Sequence, residues 1–221
     1  MAEKNKVAKP KERHCPEVKF SKPNNYIESN SRKSFKLTFP RTLKHELPLH
    51  LSNPSQAKVQ EPKNNKWIAP PLDVFKANWD AAIDKGNSRL GIGVIVRNSE
   101  GSVMASLCSS MDLIPDPLLG EAVAARRASS FCAELGLQHI ILEGDSLSVV
   151  KAIQHKEDSW SDTRLVIRDI KIMLSKTRSW SVLHVHREVN VIAHHLAKFA
   201  LSCQEDCILI EDYPPCIQHL L

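Results

Sequence analysis

The stretch Lys76-Ala77-Asn78-Trp79-Asp80-Ala81-Ala82 decides the fold, because it alternates like a strand and carries a carboxylate in its interior. At a strand's period of two, apolar side chains share one face and polar side chains share the other. The apolar face has Phe75, Ala77, Trp79 and Ala81, and the polar face has Lys76, Asn78 and Asp80. A carboxylate inside a sheet is costly to ionise unless it is paired, hydrogen-bonded or bound to a metal. Asp80 therefore needs a partner.

The next two segments predict a three-stranded meander. Turn residues at 84–88 lead into residues 90–96, a run so apolar that we expect a strand buried on both faces and paired with the first as a hairpin. A second turn, at 98–101, precedes residues 103–108, which alternate well enough to predict a third strand at the edge of the sheet.

The period then changes to that of a helix. Asp116 with Pro117 is a typical helix start and Gly136 a typical stop. The apolar stripe between them consists of Leu118, Ala122, Ala125, Ala128, Cys132 and Leu135. Glu121 lies beside this stripe, so a second carboxylate is predicted to face the sheet or its margin.

Crossover units follow the helix. Residues 138–143 predict a strand and residues 147–155 a helix, so Asp145 stands at the carboxyl end of a strand that runs parallel to its partner. Open α/β sheets bind their ligands at such ends. A helix at 163–176 and a strand at 180–187 repeat the unit, before a last helix that begins at the N-cap Asn190 and carries His194 one turn in.

The front third of the chain differs in charge from the rest. Residues 1–66 hold fifteen Lys and Arg against six Asp and Glu, a net charge of +9. Because the whole chain has a net charge of +5, residues 67–221 have a net charge of −4. We predict a disordered basic segment over 1–66, which either keeps the protein soluble or contacts nucleic-acid phosphates, and one domain over 67–221.

Several classes of protein are disfavoured by composition. A signal peptide and the roughly 18 consecutive apolar residues of a membrane span are both missing, so we expect a soluble intracellular monomer, in nucleus or cytoplasm rather than in an organelle, without a membrane partner. The six cysteines include no CxxC pair and are expected to be reduced. A zinc site from Cys203 and Cys207 with His194 and His195 fits no common structural spacing.

Asp80, Glu121 and Asp145 are predicted to converge at the carboxyl end of the central strands. Taken singly, each has another explanation: Asp80 pairs with Lys76, Glu121 occupies a solvated first turn, or Asp145 caps the next helix. Together, unpaired carboxylates would repel and raise one another's pKa. A bound Mg²⁺, or alternatively Mn²⁺, would offset this repulsion, and both ions prefer hard oxygen ligands. A pair of such ions promotes the hydrolysis of phosphodiesters by water.

The order and spacing of these pieces resemble the ribonuclease H superfamily, and within it the plant ribonuclease H-like domains of the reverse-transcriptase-associated type. The matching motifs are Trp67 with Pro70-Pro71, Lys76-x-Asn78-x-Asp80-x-Ala82, Gly91-x-Gly93-Val94, Arg97-Asn98, Gly101, Glu121-Ala122, Glu143-x-Asp145-Ser146, Arg187-Glu188-x-Asn190-x-x-Ala193-His194-x-Leu196-Ala197-Lys198 and Pro214-Pro215. The resemblance implies an α/β fold with a five-stranded mixed sheet flanked by helices. It also implies metal-dependent endonucleolytic cleavage of the RNA strand of RNA–DNA hybrids, with Asp80, Glu121 and Asp145 as metal ligands.

His194 is where the chain departs from the superfamily, which usually has an Asp at this place. We include His194 among the catalytic candidates as a metal ligand, a proton shuttle or an inert replacement, and expect weaker binding of a second ion because imidazole is a poorer Mg²⁺ ligand than a carboxylate. Two alternatives to an active nuclease follow: a weak or inactive module that binds RNA or hybrid, and a retroelement-derived remnant. His184 and His186 are predicted to be structural, and Trp160 and Trp180 to pack rather than stack on bases.

Overall fold

The computed structural model describes the backbone of residues 26–27 and residues 66–112, 116–155 and 162–221. Within these ranges the strands are β1 (Tyr26–Ile27), β2 (Phe75–Asp84), β3 (Arg89–Arg97), β4 (Val103–Asp112), β5 (His139–Gly144), β6 (Ser179–His184) and β7 (Cys207–Ile210). The helices are α1 (Pro117–Glu134), α2 (Leu147–Gln154), α3 (Asp162–Leu174), α4 (Val191–Ala200) and a 3-10 helix, Pro215–Leu220. The predicted disorder of residues 1–66 concerns residues that, apart from 26–27 and 66, lie outside the described ranges.

The strands form one mixed sheet in the order β1-β7-β4-β3-β2-β5-β6. β2, β3 and β4 are an antiparallel meander, and β5 and β6 continue the sheet from β2 as parallel strands. The predicted α/β architecture, a mixed sheet flanked by helices, is confirmed. β2 to β6 supply its five predicted strands, and β7 and β1 extend it.

The prediction that the third strand lies at the edge of the sheet is wrong. β4 pairs on its outer side with β7, with Ala105 opposite Ile210 and Cys108 opposite Cys207. β7 has only four residues after the last helix, too short a run for periodicity to separate it from a loop. β1 then pairs antiparallel with β7.

Helices cover both faces of the sheet, which buries β3 on both sides as its sequence predicts. On one face α1, α2 and α3 enclose a core that includes Trp79, Val94 and Phe131. On the other face α4 and the 3-10 helix pack over a second cluster that includes Ile95 and Leu196. Among the described residues, no helix is long and apolar enough to cross a membrane.

The ends of α1 follow the sequence signals, whereas the start of α4 does so only in part. Asp116 caps α1 by accepting hydrogen bonds from the backbone N–H of Leu118 and Leu119 at 2.9 and 3.2 Å, and Gly136 after the helix has a φ of +74°. Asn190 occupies the N-cap position of α4 without a side-chain cap. Its Nδ2 instead donates to the carbonyl oxygen of Trp79 at 2.7 Å, which ties α4 to β2.

Candidate metal and catalytic site

The carboxylates of Asp80, Glu121 and Asp145 meet at one place. One oxygen of each lies within 4.8 Å of the others, although the three residues come from β2, from α1 and from the turn after β5. Such a group is able to hold a divalent cation, since carboxylate oxygens are preferred ligands of small hard ions. It is the one group of three or more His, Cys, Asp or Glu residues with this proximity in the described parts of the chain, so Cys203 and Cys207 form no comparable set there.

Burial and repulsion disfavour the charged forms of Asp80 and Glu121. Asp80 is only 2% exposed, and burial, followed by the negative charge of Asp145, raises its pKa. Burial is also the main cause that raises the pKa of Glu121 to about 9, followed by the charges of Asp80 and Asp145. Oε2 of Glu121 is buried without a hydrogen-bond partner among the described residues. A bound cation would satisfy this oxygen and offset the repulsion, so these residues fit a metal.

The structure contradicts the three single-residue explanations, namely that Asp80 pairs with Lys76, that Glu121 lies in the first turn of α1 and that Asp145 caps α2. Lys76 pairs with Glu143 rather than with Asp80. The first turn of α1 holds no acidic residue, so Glu121 lies beyond it. The N-cap of α2 is Ser146, not Asp145.

His194 also lies at this site. Its Nδ1 is 2.7 Å from Oδ2 of Asp80, and this hydrogen bond lowers the pKa of Asp80, against the larger effect of burial. Nη2 of Arg187 lies 3.2 Å from each ring nitrogen of His194, which places a positive charge beside the imidazole. The structure thus brings all four predicted site residues together.

The remaining histidine and tryptophan candidates lie around the site or outside the described residues. Nε2 of His184 is 3.2 Å from the backbone oxygen of Asp145, and the rings of His184 and His186 stand edge to face with centroids 5.8 Å apart. His184 therefore contacts the backbone that carries Asp145. Trp180 is 38% exposed on β6, and Trp160 lies outside the described ranges.

A set of buried polar residues next to the site was not predicted from the sequence. We call it the buried polar network; its members are the buried residues Lys76, Asn78, Arg97 and Glu143 and the partly buried Trp67. Lys76 and Glu143 form an ion pair at 2.8 Å with side chains only 7% and 5% exposed. All five residues belong to the motifs quoted above, and Lys76, Asn78 and Glu143 precede Asp80 or Asp145 at intervals of two, but neither signal predicts that they contact one another.

A mixed sheet of this order, with helices on both faces and an acidic cluster at the carboxyl end of its central strands, defines a ribonuclease H-like protein. The family described as Reverse transcriptase-like matches residues 78–200, more than half of the chain, and the chain belongs to that family. The ribonuclease H superfamily assignment made from the motifs is thereby confirmed.

Solved structures agree with the fold. Ribonuclease H1 of the halophilic archaeon Halobacterium salinarum is 27% identical, with a TM-score of 0.54, and the match covers 58% of this chain and 97% of that one. The N-terminal ribonuclease H domain of a Mycobacterium tuberculosis protein is 18% identical, with a TM-score of 0.53, and the match covers 58% of this chain and 93% of that one. A ribonuclease H1 isolated from compost by a metagenomic approach is 18% identical, with a TM-score of 0.53. That match covers 58% of this chain and 96% of that one. No curated protein sequence matches the chain.

Proposed function

We propose that this protein is a metal-dependent endoribonuclease that hydrolyses the RNA strand of RNA–DNA hybrids. The convergence of Asp80, Glu121 and Asp145 within 4.8 Å carries the proposal, because three carboxylates this close ionise together only at a cost that a bound cation would offset. The family and the likeness to the Halobacterium salinarum ribonuclease H1 support a nucleic-acid hydrolase. We infer that the nucleic-acid partner is a hybrid, and that the protein acts as a monomer.

In this proposal Asp80, Glu121 and Asp145 hold Mg²⁺, with Mn²⁺ as an alternative. Bound divalent ions supply an activated water and stabilise the charge that develops on the leaving oxygen, so no protein nucleophile is required. His194 in its Nδ1–H form donates to Oδ2 of Asp80 and so fixes the orientation of that carboxylate. Because a neutral imidazole brings no negative charge, the site attracts a second ion less than a set of four carboxylates does.

The test is a cleavage assay on a labelled RNA–DNA hybrid in Mg²⁺ and in Mn²⁺. We expect Asp80→Asn to lower the rate by about 100-fold or more, since a metal ligand contributes a few kcal/mol and each 1.36 kcal/mol is tenfold. Asp169→Asn is the matched control, because Asp169 is a half-exposed carboxylate on α3 that forms a surface ion pair with Arg126. Equal rates for the wild type and Asp80→Asn would refute the proposal.

The position of His194 favours a second candidate, a module that binds RNA or hybrid with little or no cleavage. Its imidazole occupies Oδ2 of Asp80, an atom that a metal would otherwise use. Hybrid binding without cleavage in either ion, in both wild type and Asp80→Asn, would select this candidate.

A further inference from the structure

We propose that the buried polar network is the positioning device of the site: it fixes the register of β2 against β5 and so brings Asp80 and Asp145 together. The inference rests on the proposed function, because it assigns the network a role in binding the metal. The network residues touch neither the metal nor the substrate in this proposal, and act only through the two carboxylates.

The register of the two strands explains how the network acts. β2 and β5 run parallel with Lys76 opposite Ile141, and their last pair is Asn78 opposite Glu143. Asp80 and Asp145 each lie two residues beyond one member of that pair. A shift of β2 by one residue would move its side chains to the opposite face and take Asp80 away from Asp145.

Polar contacts across the last pair favour one register. Both oxygens of Glu143 are used, Oε1 by Nζ of Lys76 at 2.8 Å and Oε2 by Nδ2 of Asn78 at 3.0 Å. Any other alignment would leave buried charges without partners, which costs more than the loss of an apolar contact. Ile140 and Leu142, the buried apolar residues of β5, stabilise the sheet by burial. Burial has no preferred direction, so these residues discriminate less between registers than the polar contacts do.

The network also holds β2 from its other side. Oδ1 of Asn78 accepts hydrogen bonds from Nη2 of Arg97 on β3 at 2.9 Å and from Nε1 of Trp67 at 3.1 Å. The guanidinium of Arg97 lies 3.5 Å from the centroid of the Trp67 ring, and Nζ of Lys76 donates to the carbonyl of Ile68 at 2.6 Å. Asn78 is thus the residue through which β3, β5 and the segment before β2 are joined.

The experiment measures Mn²⁺ affinity of the full chain by titration calorimetry, which needs no catalytic turnover. Asn78→Ala removes the bonds to Glu143, Arg97 and Trp67 while it leaves the Lys76 to Glu143 pair, and we expect the affinity to fall by about tenfold or more. Ile170→Ala is the control for general destabilisation, because Ile170 is fully buried on α3, an element that carries none of the three carboxylates. We expect its Mn²⁺ affinity to stay within about twofold of the wild type.

A second variant separates positioning from stability. Replacing Lys76 by Met and Glu143 by Leu together keeps the volume and removes the ion pair, but it also takes the acceptor from Nδ2 of Asn78 and the nearby negative charge from Arg97, so we expect a loss of stability. We expect it to remain folded and to bind Mn²⁺ about tenfold more weakly, whereas Ile170→Ala, which also loses stability, binds Mn²⁺ as the wild type does. Wild-type Mn²⁺ affinity in this double variant or in folded Asn78→Ala would overturn the positioning role alone. A wild-type chain that binds no Mn²⁺ would overturn the proposed function and this inference together.

Discussion

Glu121 shows at the scale of one residue how burial and neighbouring carboxylates suppress ionisation at the site. One of its oxygens is buried without a partner in the described residues, and two other carboxylates lie beside it. Its raised pKa means that, without a cation, the folded protein holds a proton on this side chain that the unfolded chain releases at a much lower pH. The stability of the metal-free protein should therefore depend on pH.

The sign of this dependence follows from proton binding. Between about pH 4.5 and pH 9 the folded state binds more protons at Glu121 than the unfolded state, so the free energy of unfolding falls as pH rises through that range. A shift of more than one pKa unit corresponds to a loss of at least about 1 kcal/mol. Chemical denaturation in the presence of a chelator, at a series of pH values, measures this change in the free energy of unfolding.

Glu121→Gln is the matching variant, because it removes the titration and keeps the shape. We expect it to be more stable than the wild type at pH 8 to 9 without divalent ions and to show a flatter dependence on pH. A wild-type stability that stays constant across the range would contradict the raised pKa.

His194→Asp tests the residue at which the chain departs from its superfamily. A fourth carboxylate should increase repulsion in the metal-free protein and lower its melting temperature, and should strengthen the binding of a second hard ion. We expect Mg²⁺-dependent cleavage to rise about tenfold, which corresponds to about 1.4 kcal/mol of additional transition-state stabilisation.

His195→Asp makes the same chemical change one residue further along α4, where the ring nitrogen Nδ1 bonds the Val191 carbonyl at 2.8 Å. This control should leave the Mg²⁺ dependence of cleavage unchanged. If His194→Asp and His195→Asp change Mg²⁺-dependent cleavage equally, the added negative charge explains the effect and position 194 has no specific role.

At the scale of elements, the contact between β3 and α4 places His194 against Asp80. Gly91 and Gly93 have no side chains, and a Cβ on Gly93 would lie 2.3 Å from both the Ala193 oxygen and the Ala197 nitrogen. A glycine within a strand allows the close approach either of a neighbouring element or of a ligand. The structure shows that they approach the backbone of α4.

Gly93→Ala should force α4 away from the sheet. We expect a loss of about 1 to 3 kcal/mol in the free energy of unfolding, typical of overpacking, together with a loss of cleavage because His194 moves relative to Asp80. Urea denaturation and the hybrid cleavage assay measure the two effects.

Gly86→Ala is the control for this substitution, since the nearest atom to its added Cβ is Oδ1 of Asp84 at 3.4 Å, an ordinary contact. A Gly93→Ala variant with the stability and activity of Gly86→Ala would show that α4 does not need this close approach.

At the scale of the whole molecule, positive charge is concentrated in the first third of the sequence. Residues 1–66 carry +9 and the remainder carries −4, although in the proposed reaction the acidic cluster acts on a polyanion. A basic segment that contacts phosphates would raise hybrid affinity and would do so less at high salt, because binding releases counterions.

Replacing Lys9, Lys11 and Arg13 by Gln tests this role. We expect weaker hybrid binding and a shallower slope of log affinity against log salt, by up to about 0.7 to 0.9 for each phosphate that the variant leaves without a cationic partner, with the cleavage rate at saturating hybrid unchanged. Filter binding over a salt series measures the slope. Arg126→Gln, which removes a half-exposed charge paired with Asp169 on α3, is the control, and an equal effect per charge would indicate that only net charge matters.

Much of the fold could be predicted from the sequence, because strand alternation, helix caps and turn residues depend on near neighbours along the chain. The bounds of α1 follow from Asp116 and Gly136 for this reason, and so does the position of Asp145 directly after a parallel strand. The motifs also identified Asp80, Glu121, Asp145 and His194, which the structure brings together.

Only the tertiary structure decided which groups neutralise the charges on β2. Along the strand Lys76 is close to Asp80, yet its partner is Glu143, 67 positions away in the chain. Likewise, β7 became a strand only because β4 offered it an edge. The sequence by itself determined where the carboxylates stand within their elements. The register between distant strands determined which of them form ion pairs and which lie together at the candidate metal site, because burial and pairing of charge depend on contacts that local periodicity does not encode.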